Sequence, residues 1–221
     1  MPQTVPRAQV LRSAGQPVTS GPGEDEFRQA VAQLESGLAA QRELRPELTF
    51  EPEPPPRRLA PFAHAVAAAV PADADAEAEL GTGKFVLLFD AAGQLGWDGR
   101  YRIIGYVRAE LEPEMAADPL VNAVGWSWLT EALDVHCSGY RKISGTVTIV
   151  VTQGFGSKQD EANSTEFELR ASWSPVIGED GSAELDGHVA AWCDLLCAAS
   201  GLPQLTPGVA ALRAQRRRPR Q

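Results

Sequence analysis

A chain of 221 residues, 43% hydrophobic and 22% charged, has the make-up of a globular protein with one sizeable core. Its net charge of −9, or −9 − 5 = −14 without the five arginines of residues 207–221, argues against a folded body built to grip nucleic acid, because phosphate binding runs on lysine and arginine. No apolar run is long enough to span a bilayer, and residues 1–23 lack the unbroken apolar core of a signal peptide, so a cytoplasmic location is expected.

In chain order, residues 1–23 mix Pro, Gly, Ser, Thr and Gln and read as disordered. Residues 24–206 read as a single domain. Its first element is a helix over 24–44, with Phe27, Val31, Leu34 and Leu38 at three- and four-residue steps, Glu24, Asp25 and Glu26 at its positive end, and Pro46 as the stop. Residues 48–51 suit a short edge strand, and the proline run 51–58 is extended. The alanine-rich segment 61–70 reads as a small helix, and 72–79 as an acidic spacer. Residues 84–90, KFVLLFD, form an apolar strand. A glycine-rich hairpin loop over 91–99 leads into a long alternating strand over 100–111. There Ile103, Val107, Ala109 and Leu111 face inward, while Arg102, Tyr106, Arg108 and Glu110 face outward.

The stretch 118–139 reads as the helix around which the chain is organised. Asp118 would cap it, Pro119 would open its first turn, and Gly139 would end it in the left-handed conformation. Only Ser127, Thr130, Glu131 and Asp134 form a polar stripe, so burial on several sides is expected. A β-branched strand over 143–152 and a polar loop over 154–164 follow. Then comes a strand over 165–173, with Phe167, Leu169, Ala171 and Trp173 inward, and an apolar helix over 182–200 ended by Gly201 and Pro203.

The order strand, strand, helix thus occurs twice, over 81–140 and 145–203. An offset of 64 places Trp128 on Trp192, Ile103 on Phe167, the cap Asp118 on Ser182, and Gly81-Thr82 on Gly145-Thr146. The expected fold is α+β: an antiparallel sheet of four to five strands with helices mainly on one face.

No catalytic constellation stands out. GTGK, 81–84, lacks the first glycine and the hydroxyl of a phosphate-binding loop and leads into a strand rather than a helix. His188, Cys193 and Cys197 share one helix, and His136 and Cys137 end the other. Zinc would become conceivable if the two helices packed side by side, but no knuckle spacing supports it, and neither a metal nor another cofactor is expected. Three cysteines without paired spacing fit free thiols in a reducing compartment. His64, among alanines, reads as a surface or half-buried histidine. The binding candidates are Arg102, Tyr106, Arg108 and Arg170 on the outward sheet face and Trp97 at the hairpin tip; the bland alternative is a solvated face of Arg–Glu pairs. The tail 207–221 carries Arg213, Arg216, Arg217, Arg218 and Arg220 and could hold RNA, DNA or an acidic surface by charge alone.

KFVLLFD, GQLGWDG, YRIIGYVRAELEPEMAADPLVNAVGWSWLTEALD and the late GTVTIVVTQGFG together resemble an actinobacterial family, the domain of unknown function numbered three thousand. The resemblance covers roughly 24–207. It implies no activity and no catalytic residues, and through a neighbouring ribonuclease-D-like gene it implies an RNA connection. Three functions are therefore expected in order: a non-catalytic adaptor or regulatory protein binding a protein partner, a nucleic-acid accessory factor acting through the tail, and an enzyme or small-molecule binder with a pocket between sheet and central helix.

Overall fold

The structure is a computed structural model that describes residues 23–72, 78–160, 163–179 and 181–205. The N-terminal stretch, the acidic core of the 72–79 spacer and the arginine tail lie outside those residues. The elements are α1 (Glu24–Leu44), β1 (Thr49–Glu53), β2 (Phe62–Pro71), β3 (Glu79–Gln94), β4 (Gly99–Glu110), α2 (Pro113–Ala116), α3 (Val121–His136), β5 (Tyr140–Thr152), a single 3₁₀ turn (Gly156–Lys158), β6 (Ser164–Pro175) and α4 (Leu185–Ala199). The strands form one antiparallel sheet in the order β1-β2-β3-β4-β6-β5. The fold is α+β, with six strands rather than four or five.

The extra strand is β2, which the sequence reading made a helix. Alanine favours helix, but that preference is worth only about 0.5 kcal/mol per residue against most residues. Here Ala65, Ala67 and Ala69 are small enough to line one sheet face, while Val66, Ala68 and Val70 bury on the other. Pairing to β1 on one side and β3 on the other decides the outcome.

α1, α3 and α4 share one face, with α4 against β3, β4 and β6 and the other two flanking it. The central helix is therefore α4, not α3. Val121, Gly125, Leu129, Ala132 and Leu133 are the buried residues of α3, and the positions 64 further on, Leu185, Val189, Cys193, Leu196 and Cys197, are all buried in α4. The two helices bury the same seam. α4 also buries His188, Ala190, Ala191, Trp192, Leu195 and Ala199, because the sheet lies beneath it and α1 covers its other side. α3 has no such cover, and Val135 is 77% exposed.

The helix termini correct the expected caps. α3 begins at Val121 and ends at His136, with Cys137 extended and Gly139 not left-handed. Asp118 accepts a hydrogen bond from the Leu120 amide (2.8 Å), and Ser182 accepts one from the Glu184 amide (3.2 Å). These side chains order equivalent turns three residues before each helix instead of capping it. Gly201, at φ 71°, closes α4 as the sequence suggests: the Leu202 amide donates to the Cys197 carbonyl and the Gly201 amide to that of Ala198.

The offset of 64 also holds across the sheet centre, where Tyr106 of β4 pairs with Arg170 of β6. It fails on the outer strands of the two hairpins. Gly83 pairs with Val107, and Gly145 pairs with Ala171, the Val107 equivalent. Gly145 thus matches Gly83 rather than Gly81, a slip of two residues that keeps the inward parity. In this setting the glycines of GTGK serve packing. A Cβ on Gly83 would lie 2.9 Å from the Trp192 ring, and one on Gly105 would lie 3.0 Å from Trp173. The hairpin loop is shorter than expected, only Leu95 to Asp98, since Gln94 already pairs with Gly99.

Candidate binding site

Among the described residues every long helix lies on one side of the sheet, and its second face is covered only at the end where Leu88, Arg102 and Ser174 are buried. Strand alternation puts Lys84, Val86 and Leu88 of β3 there, with Arg102, Ile104, Tyr106 and Arg108 of β4, Glu166, Glu168, Arg170 and Ser172 of β6, and Ser144, Thr146 and Thr148 of β5. Four of the five sequence candidates, Arg102, Tyr106, Arg108 and Arg170, lie on this face. The hairpin tip bends over one end of it, which brings the fifth, Trp97, into the same neighbourhood, half-buried rather than projecting.

The cations on this face are not equivalent. Arg108 pairs with Glu166 diagonally between β4 and β6, Arg170 pairs with Glu168, and Lys84 pairs with Glu53 at 2.6 Å. Arg170 also lies over the Tyr106 ring, 5.5 Å from its centroid. Burial and the Glu168 charge raise the Tyr106 hydroxyl pKa, so the phenol stays protonated. These are the solvated Arg–Glu pairs of the bland reading, each worth about 1 kcal/mol or less.

Arg102 differs. It is only 8% exposed, and its guanidinium donates to the Ser174 hydroxyl (3.3 Å), the Ser172 carbonyl (3.1 Å) and the Ser172 hydroxyl (2.7 Å). Ser174 in turn donates to the Trp97 carbonyl and so ties the hairpin tip down. All these partners are neutral. Among the described residues no carboxylate comes within ion-pair distance of Arg102, and burial alone lowers its pKa. The groove it faces has a volume of about 580 Å³. Leu59, Leu88, Trp97 and Ile104 supply its apolar wall, Arg102 and Arg170 its charge, and no acidic residue lines it.

The sequence did not find Arg102's special status. Parity placed it on the outer face, but whether an acid lies opposite depends on the β4–β6 register, which puts serines there.

The helix side holds the cysteines and histidines. Cys137 Sγ lies 3.0 Å from His188 Nδ1, and the Trp173 indole donates to the same nitrogen at 3.2 Å. An indole can only donate, so Nδ1 is bare and His188 carries its proton on Nε2. Burial pulls the His188 pKa down to about 4 and pushes the Cys137 pKa up to about 12. The pair is a neutral thiol beside a neutral imidazole, the opposite of an activated thiolate. Burial raises Cys193 as well, and Cys197 to about 11. All three cysteines are free, and among the described residues no three of His, Cys, Asp and Glu converge as a metal set would. His136 instead bonds Asp194 (2.7 Å), whose other oxygen meets the buried Arg45 (3.4 Å), linking α1, α3 and α4. His64, now on β2, bonds Glu35 of α1 at 3.1 Å.

A hollow of about 480 Å³ lies where Leu80, Glu110, Leu111, Trp128 and the end of α4 meet. It has no cation among its lining residues. Among the described residues no helix is long and apolar enough to cross a membrane. The arginines of the tail lie outside the described residues. A family model described as "Protein of unknown function (DUF3000)" matches residues 23–210. No curated protein and no solved structure matches the chain.

Proposed function

The chain belongs to the family described as "Protein of unknown function (DUF3000)", and because that description carries no activity we propose a function from geometry alone: a non-catalytic adaptor or regulatory protein that takes a protein partner on the outer face of its sheet. The observation that carries this reading is the uncovered face itself. A six-stranded sheet with all the long helices among the described residues on one side presents a broad second surface, and here a half-buried tryptophan, a tyrosine and three arginines share it. Tryptophan, tyrosine and arginine are the residues that most often carry binding energy at protein interfaces. The chemistry elsewhere supports binding over catalysis, since the thiols are held protonated and the Cys137–His188 contact is neutral. On this reading the protein works in a reducing cytoplasm, where three free thiols persist.

The test is a capture experiment with the purified full chain, with and without ribonuclease. It is repeated with Tyr106→Ala plus Arg108→Ala on the outer face, with Glu131→Ala plus Val135→Ser on exposed α3, and with residues 207–221 removed. A protein held by the parent, the α3 variant and the shortened chain, but lost from the outer-face variant, supports the proposal. Retention by the outer-face variant would remove it. Loss on tail removal or ribonuclease treatment would replace it with nucleic-acid association through the tail.

A further inference from the structure

We propose that the groove under the Trp97 hairpin is a receptor for a single carboxylate on an apolar stem, the C-terminus of a peptide, with Arg102 as its counter-charge. This deepens the outer-face reading and rests on it. A charge taken out of water is unfavourable unless an opposite charge or a full set of hydrogen bonds replaces the solvent. The other cations of the face, Lys84, Arg108 and Arg170, have carboxylates beside them. Arg102, the most buried of the four, has only serine hydroxyls and a carbonyl among the described residues. A planar guanidinium is also the side chain best matched to a carboxylate.

The rest of the groove narrows the ligand. Leu59, Leu88, Ile104 and Trp97 would cover an apolar stem, while Gln94, Ser144, Thr146 and Ser172 offer neutral hydrogen-bonding groups. Its volume of about 580 Å³ is larger than a small organic acid needs and lies within the usual range for binding pockets. The groove extends to Ser144, Gly145 and Thr146 on β5, the last strand of the sheet, whose outer edge pairs with no strand among the described residues and can hydrogen-bond an extended chain. The net charge of −9 disfavours a segment rich in acids. A peptide terminus brings one carboxylate and no second charge.

The probe is a mixture of rhodamine-labelled hexapeptides with randomised apolar residues at the last three positions, read by fluorescence anisotropy with the full chain. The free-acid mixture should bind at least about tenfold more tightly than the same mixture with amidated ends, the scale of losing hydrogen bonds to a charged group. Arg102→Gln should remove that preference, Arg102→Lys should keep part of it, and Arg28→Gln, an exposed cation on α1 on the helix side, should leave it intact. Equal binding of acid and amide overturns the proposal, and that comparison uses the unaltered chain, so it stands even if Arg102→Gln fails to fold. A preference that survives in folded Arg102→Gln overturns it as well. Two further arms test the source of the carboxylate. If an amidated mixture with one internal glutamate binds as well as the free acid, or hexanoate alone competes at equal concentration, the assignment to a chain terminus fails. A partner lost from the Tyr106/Arg108 variant while acid and amide bind alike would sink this inference and leave the outer-face function standing.

Discussion

At the scale of single residues, the two tryptophans that the repeat makes equivalent are not equally placed. Trp192 is fully buried, lies over Gly83, sits 5.6 Å from the Phe85 ring, and donates its indole N–H to the Tyr106 carbonyl. Trp128 is half-buried, with its ring 5.6 Å from that of Phe167. Trp192→Ala should therefore cost about 3–5 kcal/mol. Trp128→Ala should cost about half that, as only part of its surface leaves water. Urea unfolding of the two variants checks this, and equal losses would mean that the fuller burial of Trp192 against β3 and β4 adds nothing.

His188 is the residue through which pH reaches this core. Burial holds its imidazole at about 4, against an ordinary value of 6.5, with the Asp186 charge working weakly the other way. Between those two values the unfolded chain takes up a proton that the folded chain refuses. Stability from this group is complete above pH 6.5 and falls as the pH drops through about 4, by up to about 3 kcal/mol. Asp194 acts in a separate window. Burial raises its carboxyl, but the His136 hydrogen bond and the charges of His136 and Arg45 outweigh that and hold it below the ordinary value. Its contribution is therefore lost only in stronger acid. Unfolding midpoints at pH 7, 6, 5 and 4 should decline in the parent, with a shallower decline in His188→Asn. Identical slopes would show that His188 is not the sensor.

At the scale of elements, β2 tests whether pairing overrides propensity. Ala67 sits mid-strand between Glu51 of β1 and Lys84 of β3. Ala67→Pro should cost about 3 kcal/mol or more, because proline removes a ladder hydrogen bond inside a sheet. Ala67→Val, on the half-buried outer face, should hold stability or raise it, by less than about 1 kcal/mol, because valine favours a strand. A helix at this place would also resist proline but would lose stability with valine, so the pair of variants separates the two structures. The alternating strands β4 and β6 were legible in the sequence because one buried face makes parity visible. β2 was not, since alanines leave no contrast between faces. The rank of the helices was hidden for a related reason. The apolar stripe of α3 is wide, but a stripe records greasy surface and not which neighbours exist to cover it. α4 became central only because α1, far away in sequence, returns to its second side. Arg102 was half legible in the same sense: its face followed from local alternation, and its lack of an acid from a pairing more than sixty residues distant.

At the scale of the whole molecule, an open sheet must manage two edges. β1 has five residues and carries Glu51, Pro52 and Glu53, all features that discourage another strand from adding on. β5 has thirteen residues. Its first part is guarded by Arg141, Lys142 at φ 52° and a register shift before Ser144. From Gly145 to Thr152 it pairs without interruption to β6 and carries no charge and no proline. Val151 is 68% exposed there, and Phe155 just beyond is 75% exposed. This half of the edge is the place where partly folded copies can pair. Thr148 lies on the outer face opposite Glu168, so Thr148→Lys places a charge on the edge without opposing a like charge. The substitution should reduce light scattering during refolding at raised protein concentration while changing the unfolding free energy by less than about 1 kcal/mol. Unchanged scattering would move the association route away from β5. A fall in scattering that came with a large loss of stability would mean instead that Thr148 serves the fold and not its edge.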